Sequence, residues 1–265
     1  PRINKSIESG EFFKNEAFLG AIEHCKKFNS DLHISGCFSP GGIHSHEDHL
    51  FALLELCKRQ NFNRVFLHLW TDGEDSDKTE SLESLKRLEP FLKKSNAKIA
   101  SIMGRTYSMD RVLNWKLTES AWMAMTEGGA PNKISADEIA DYISNSHKSG
   151  KMDDEIPPAV ITEMGLPVGT IKDNDSIIFF NFRNDRMKQI LATFALEKFD
   201  YFDRGTMIKN LFITTMKRYT EKIPIQAVAY EALLIQNTLG DLLSNAGLKQ
   251  TRIAEKEKEA HVTSF

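Results

Sequence analysis

The chain has 265 residues, 41% hydrophobic and 27% charged, which suits an ordinary globular protein with one large core or two smaller ones. A net charge of -3 and a pI near 6.3 exclude a general attraction to nucleic acid or an anionic membrane, so an anion site must be a local cluster of cations. Cys25, Cys37 and Cys57 lack metal-ligand spacing and no apolar run is long enough to span a bilayer, so the expected setting is a reducing cytoplasm.

From the N-terminus, apolar residues at helical spacing (Phe13, Ala17, Ala21, Ile22, Cys25, Phe28) predict a helix over Phe12 to Phe28. Leu32 to Phe38 reads as a strand, His49 to Arg59 as an amphipathic helix, and Arg64 to Trp70 as a second strand. A helix near Thr79 to Lys94, a strand from Ala97 to Met103 and a helix from Arg111 to Thr126 follow. Ser135 with Glu138 forms a capping box that opens a further helix, and the polar stretch Lys148 to Pro158 reads as a loop. Ser176 to Phe182 and Leu211 to Lys217 are further strands, with a break at Thr220 to Pro224. A helix from Leu239 to Asn245, ended by Gly247, precedes a last strand, Lys249 to Ile253. This alternation predicts an α/β fold with a mostly parallel sheet flanked by helices and a domain boundary near residues 225–238. Proline at position 1 and the closing Ala260-His-Val-Thr-Ser-Phe265 read as the ends of an internal fragment.

In an open parallel sheet, ligands bind outside the carboxyl ends of the strands. The segments after the predicted strands are Ser39-Pro-Gly-Gly-Ile-His44-Ser-His46, Thr71-Asp-Gly-Glu74-Asp75, and Gly104-Arg105-Thr-Tyr-Ser-Met-Asp110-Arg111. After Ser176-Ile-Ile-Phe-Phe-Asn-Phe come Arg183 and Arg186, and after the last strand Ala254-Glu-Lys-Glu-Lys258-Glu-Ala-His261. Arginine suits a phosphate or carboxylate because its planar fork donates two parallel hydrogen bonds. Arg183 at a strand end and Arg186 on the first turn of the next helix can converge on one anion. Glycines, His, Asp and four arginines thus fall on one sheet edge, which predicts a shared anion site.

His44-Ser-His46-Glu-Asp48-His49 also has the H-x-H-x-D-H spacing of binuclear hydrolases of the metallo-β-lactamase type. That reading needs a further His at a later strand end. Past His68, inside a predicted strand, only His147 and His261 remain, and neither follows a strand beside a glycine. His46, Asp48 and His49 could equally open a helix, with Asp48 favoured by the dipole. The metal reading ranks last.

Several blocks occur in order: His44 with Gly41 and Gly42; Asp72-Gly-Glu74-Asp75; Gly104-Arg105 with Met109-Asp-Arg111; Asn181-Phe-Arg183-Asn-Asp185-Arg186; and Ala254-Glu with Glu257-Lys258 and Ala260-His-Val-Thr263. Together with the opening Arg2-Ile-Asn-Lys-Ser-Ile and Gly10-Glu-Phe-Phe-Lys-Asn15, they resemble cofactor-independent (2,3-bisphosphoglycerate-independent) phosphoglycerate mutase over the whole chain. The resemblance implies interconversion of 2- and 3-phosphoglycerate in glycolysis and gluconeogenesis through a phosphoserine intermediate. It implies a phosphatase-like domain with a serine nucleophile and two divalent metal ions (Mn or Mg), and an inserted phosphotransferase domain that holds the substrate. Residues 1–230 correspond to the inserted, substrate-binding domain. Residues 231–265 correspond to a linker and the truncated start of the second part of the alkaline-phosphatase-like α/β domain. The serine and metal ligands then lie outside this chain, which would hold no metal and turn over nothing alone.

By the same resemblance, Arg183 and Arg186 bind the phosphoryl group, Arg105 and Arg111 take the carboxylate, and Asp75 accepts the proton from either hydroxyl in turn. His44 hydrogen-bonds a phosphoryl or hydroxyl oxygen, and Lys258 faces the metal side of the cleft. The expected partner is the small substrate alone, with no nucleic acid or membrane, in a monomer. The chain departs from the family at Glu74, where the loop usually reads Asp-Gly-Arg-Asp, at Pro40 in the usual Ser-Asp-Gly-Gly, and at Glu259, where an aromatic is common. An acid at position 74, beside an anionic substrate, leaves open a non-catalytic phosphoacid-binding module or degenerate paralogue.

Overall fold

Seven consecutive buried residues, Leu32–Phe38, form β1, and a strand with no exposed residue must be covered on both faces. The computed structural model describes residues 2–232, 237–256 and 262, and divides into two units, Pro1–Glu231 and Ala232–Phe265. Among the described residues of the first unit, the strands after β1 are β2 (Val65–Thr71), β3 (Lys98–Gly104), β4 (Asn132–Ile134), β5 (Ala159–Glu163), β6 (Leu166–Pro167), β7 (Ser176–Phe179), β8 (Phe212–Thr215) and β9 (Ala227–Val228). The helices are α1 (Arg2–Glu8), α2 (Glu16–Phe28), α3 (Glu47–Arg59), α4 (Ser81–Ser95), α5 (Arg105–Ser108), α6 (Trp115–Thr126), α7 (Ile139–Lys148) and α8 (Lys188–Ala195).

The sheet runs β4-β5-β3-β2-β1-β7-β8-β9, with β6 paired to β5. From β3 through to β9 every neighbouring pair is parallel. β5 adds antiparallel to β3, and β4 pairs parallel with β5. The chain builds outward from β1 to β2 and β3, then returns to β1's other side with β7. The order therefore reverses between β1 and β7, the place where an α/β sheet opens a crevice at its carboxyl edge.

Alternation sorts the side chains to two helical layers. Ile34, Phe38, Leu67, Leu69 and Ile178 meet Phe18, Ile22, Leu50, Leu53 and Leu88 from α2, α3 and α4. On the opposite face Cys37, Trp70, Met103 and Phe179 meet Trp122, Met125, Ile190 and Phe194 from α6 and α8. The expected α/β architecture with a mostly parallel sheet is the one found. A polar chain is sealed within it: His68 Nδ1 and Ser101 Oγ are 2.8 Å apart, His68 Nε2 and His33 Nδ1 2.9 Å, and His33 Nε2 and Asp175 Oδ2 3.3 Å. All four residues are buried, so each polar atom needs a partner inside the protein, and the chain supplies these.

Boundaries differ where a side chain competes with the helix. The segment expected as one helix from Phe12 breaks at Asn15, whose carboxamide accepts from Ala17 N at 3.0 Å and caps α2. The helix expected from Arg111 begins at Trp115, because Asp110 Oδ2 accepts from Asn114 N at 2.8 Å and Leu113 takes a φ of 65°. Arg186 lies in the turn before α8, not on its first turn. The expected loop Lys148 to Pro158 contains a 3-10 turn, Asp153–Glu155, and the short strands β4, β5 and β6 were not foreseen. In the second unit, α9 (Leu239–Asn245) opens on a Thr238–Asp241 capping box. The strand expected over Lys249 to Ile253 is absent: these residues are exposed and make no ladder pairs among the described residues, and a strand exists only by pairing. No helix among the described residues is long and apolar enough to cross a membrane.

The 3-10 turn supports the sheet edge from below. Gly104 N donates to Ile156 O at 2.7 Å, and a Cβ at Gly104 would strike the backbone carbonyl of Asp154. Backbone cannot rotate aside as a side chain can, so Gly104→Ala is expected to cost about 1–3 kcal/mol, the usual range for overpacking. A urea-unfolding midpoint unchanged from wild type would contradict this packing.

Candidate functional site

The loops after β1, β2, β3 and β7 meet at the carboxyl edge, on either side of the reversal point. Phe182 N and Arg183 N both donate to His44 O, at 2.8 and 3.2 Å, which joins the β1 and β7 loops. Asn181 Oδ1 accepts from Cys37 N at 2.8 Å and tightens the same junction. On the other side Ser39 Oγ donates to Asp72 Oδ2 at 2.6 Å. Gly41 leaves room for the β2 loop, since a Cβ there would lie 2.5 Å from Asp75 O.

Asp72 organises the β2 loop and the cation beside it. Its Oδ1 accepts from Asp75 N at 3.2 Å and from Arg105 Nη1 at 2.6 Å. Arg105 follows β3 directly and is only 2% exposed. Its Nη1 also donates to Asp75 Oδ2 at 2.5 Å. Burial works against both charges, but hydrogen bonds from Ser39 and Arg105 outweigh it for Asp72, which stays below the usual carboxylate range. Burial likewise opposes the Arg105 cation, yet neighbouring groups including Asp75 and Asp72 raise its pKa above the ordinary value. Breaking such a pair by removing one partner typically costs about 3–5 kcal/mol.

From Asp75 the contacts continue across the crevice. His44 Nε2 lies 3.5 Å from Asp75 Oδ2, and His44 Nδ1 lies 3.5 Å from Asp185 Oδ1. Asp185 also pairs with Arg183 Nε at 3.1 Å and Arg111 Nη1 at 3.3 Å. Glu74 Oε2 stands 3.5 Å from Arg105 Nη2 and 3.8 Å from Arg186 Nη2. Burial, then Arg105 and Arg111, lowers the Arg186 pKa, as expected of a cation among cations. Among the described residues, His44 Nδ1, Arg105 Nε and Asp185 Oδ1 are buried without a hydrogen-bond partner. Guanidiniums, a partly open carboxylate and a neutral imidazole in this arrangement can bind an anion and exchange a proton with a hydroxyl held beside it.

The family described as BPG-independent PGAM N-terminus (iPGM_N) matches residues 3–221. The chain belongs to this family. A 2,3-bisphosphoglycerate-independent phosphoglycerate mutase 1 from Methanosarcina barkeri is 44% identical across 100% of this chain and 51% of its own length. The 2,3-bisphosphoglycerate-independent phosphoglycerate mutase of Listeria innocua is 44% identical with the same coverage. A crystal structure of Leishmania mexicana phosphoglycerate mutase at low cobalt concentration is 27% identical and superposes with a TM-score of 0.82, over 98% of this chain and 49% of that one. The chain thus spans about half the length of the phosphoglycerate mutases it matches.

The sequence-predicted residues His44, Glu74, Asp75, Arg105, Arg111, Arg183 and Arg186 join one network of contacts. Lys258 and His261 lie outside the described residues. Sequence reasoning gave no role to Asp72, Asp185 or Ser39. Asp185 carried a usable signal, since an acid between Arg183 and Arg186 is placed to neutralise both. The histidines of the H-x-H-x-D-H run have other work. His46 caps α3, its Nδ1 accepting from Asp48 N at 3.1 Å, and His49 Nε2 faces Asn4 Oδ1 at 2.9 Å. Among the described residues no group of three or more His, Cys, Asp or Glu is arranged to hold a metal ion.

Burial chiefly, then Arg105, lowers the His44 pKa to about 4, and burial chiefly, then His46, does the same for His49. Each ring stays neutral in the folded chain while its unfolded form, titrating near the ordinary 6.5, already binds a proton. Their contribution is therefore complete above about pH 6.5 and is lost as pH falls toward about 4, on the order of 3 kcal/mol per ring. His49→Gln should flatten this slope, measured as urea midpoints at about pH 7 and about pH 4.5. Parallel slopes for variant and wild type would refute the assignment.

Proposed function

We propose that this chain is the substrate-holding part of a 2,3-bisphosphoglycerate-independent phosphoglycerate mutase, an isomerase that interconverts 2- and 3-phosphoglycerate. The observation that carries the reading is the ring of Arg105, Arg111, Arg183 and Arg186 around the Asp75–His44 pair, at the sheet's reversal point. Family membership and relatives of that name support it. Arg183 and Arg186, more exposed than Arg105, hold the phosphoryl group, whose charge in transfer spreads over oxygens that guanidiniums stabilise. Arg111 takes the carboxylate. Arg105 offers its Nη2 edge to the ligand, while its Nη1 fixes Asp75.

Asp75, with a side chain 25% exposed, accepts the proton from whichever hydroxyl is to receive the phosphoryl group and returns it to the one that leaves. Neutral His44, facing both Asp75 and Asp185, hydrogen-bonds a substrate oxygen. The second unit is a linker and the start of the second part of the phosphatase-like domain; the serine that becomes phosphorylated and the ligands for manganese or magnesium belong to that domain. A cytoplasmic monomer completes the proposal. A second reading, a phosphoacid-binding module without turnover, draws on Glu74, an acid within the anion cleft.

Kinetics of the full-length protein separate the two. Arg183→Ala and Arg186→Ala should each lower kcat/KM roughly ten- to hundredfold, because charge-assisted contacts to a phosphate are worth about 1.5–3 kcal/mol. Asp75→Asn keeps the shape but removes the proton acceptor, so kcat should fall further than KM rises. Turnover of 2-phosphoglycerate that none of the three substitutions alters would sink the proposed roles. Binding without turnover would favour the module.

A further inference from the structure

We propose that Glu74 is a specificity-determining residue of this cleft, a tethered carboxylate that fills the gap between Arg105 and Arg186 and must leave it when an anionic ligand enters. The inference rests on the phosphoglycerate reading only for the identity of the ligand. Its geometry is independent of that reading.

Two guanidinium edges face the Glu74 carboxylate, Arg105 Nη2 at 3.5 Å and Arg186 Nη2 at 3.8 Å. Both separations exceed a good charge-assisted hydrogen bond, so a phosphate or carboxylate placed between the same edges could bond them better than Glu74 does. Arg105 has the donors to offer. Its Nη1 is engaged by Asp72 and Asp75, but among the described residues Nη2 meets only Glu74, and its buried Nε has no partner. Among the described residues, Arg186 has only a 3.5 Å contact from Nη1 to Met109 O besides Glu74.

Glu74 is also the acid best able to move. Its side chain is 48% exposed, against 4% for Asp72, 25% for Asp75 and 28% for Asp185. Its backbone N reaches Asp72 Oδ1 at 3.4 Å, so the side chain can swing while the loop stays in place. Once displaced it remains a negative charge beside the ligand. That penalty grows with ligand charge, and it therefore biases the cleft against polyanions. Salt screens it, because the group is half exposed.

The test is calorimetric titration of the full-length protein with inorganic phosphate and, separately, with 3-phosphoglycerate. Wild type, Glu74→Gln and Glu74→Asp are compared at low and high ionic strength. Glu74→Gln keeps the shape without the charge and should bind both anions roughly two- to fivefold tighter at low salt, with the gain shrinking at high salt. Glu74→Asp should stay near wild type. If 3-phosphoglycerate binds wild type and Glu74→Gln is no tighter, the role of Glu74 falls and the phosphoglycerate reading stands. If phosphate binding tightens in Glu74→Gln while 3-phosphoglycerate binds no variant, that reading falls and the role of Glu74 stands. No binding of either anion to any variant overturns both.

Discussion

A guanidinium that is almost fully buried is tolerable only among anions held in place, and Arg105 finds them one loop away. Asp72 and Asp75 both accept from its Nη1, and Ser39 holds Asp72 from the β1 side. This single set of contacts ties together the segments after β1, β2 and β3. Its energetics are those of a buried ion pair, where desolvation nearly cancels attraction and the loss of one partner leaves an uncompensated charge. The gain is geometric, because a carboxylate fixed on two sides presents its remaining lone pairs in one direction. Asp75 is in that position beside His44.

The place of this cluster follows from the connectivity of the sheet. β1 pairs with β2 on one side and β7 on the other, so the segments leaving β1 and β7 diverge and leave a crevice between them. Backbone bonds from Phe182 and Arg183 to His44 O join the two segments across it. Small residues make the approach of the loops possible. Gly41 lies on the Asp75 carbonyl, and Gly73 and Gly104 both lie on the backbone of Asp154. The Asp153–Glu155 turn acts as a wedge below the edge, anchored by Asp153, which accepts from Ser81 N and Ser81 Oγ and meets His147 Nε2.

Most of the central sheet was legible because β1, β2, β3 and β7 are short, mostly apolar segments, close to the pattern of strands covered on both faces. β4 and β6 were not legible, since each is three residues or fewer and exists through pairing with β5. The arginines and His44 could be read from their places after strands, because chain order fixes which sheet edge such residues occupy. Asp72 could not be ranked in the same way, and for Asp185 the sequence showed only its neighbours Arg183 and Arg186. What makes each important is the cation it meets from another loop, and that meeting is a property of the fold. Leu113 shows the converse limit, as a helical pattern from Arg111 gives no hint that Asp110 will capture Asn114 N and break the helix.

Charge balance in the cleft constrains how it can bind. Arg105, Arg111, Arg183 and Arg186 are matched contact by contact with Asp72, Asp75, Asp185 and Glu74, and His44 between them is neutral at ordinary pH. Such a cleft exerts little net pull on an anion from a distance, in keeping with a chain whose overall charge is negative. Affinity must then come from exchange, with each ligand oxygen replacing a protein carboxylate at a guanidinium that keeps its position. The buried pairs resist exchange because they are short and shielded from water. The exposed ones do not. Under the proposed anion-binding role, selectivity would reside in the exposed contacts, while the short pairs of Arg105 Nη1 with Asp72 and Asp75 would hold the cleft's shape.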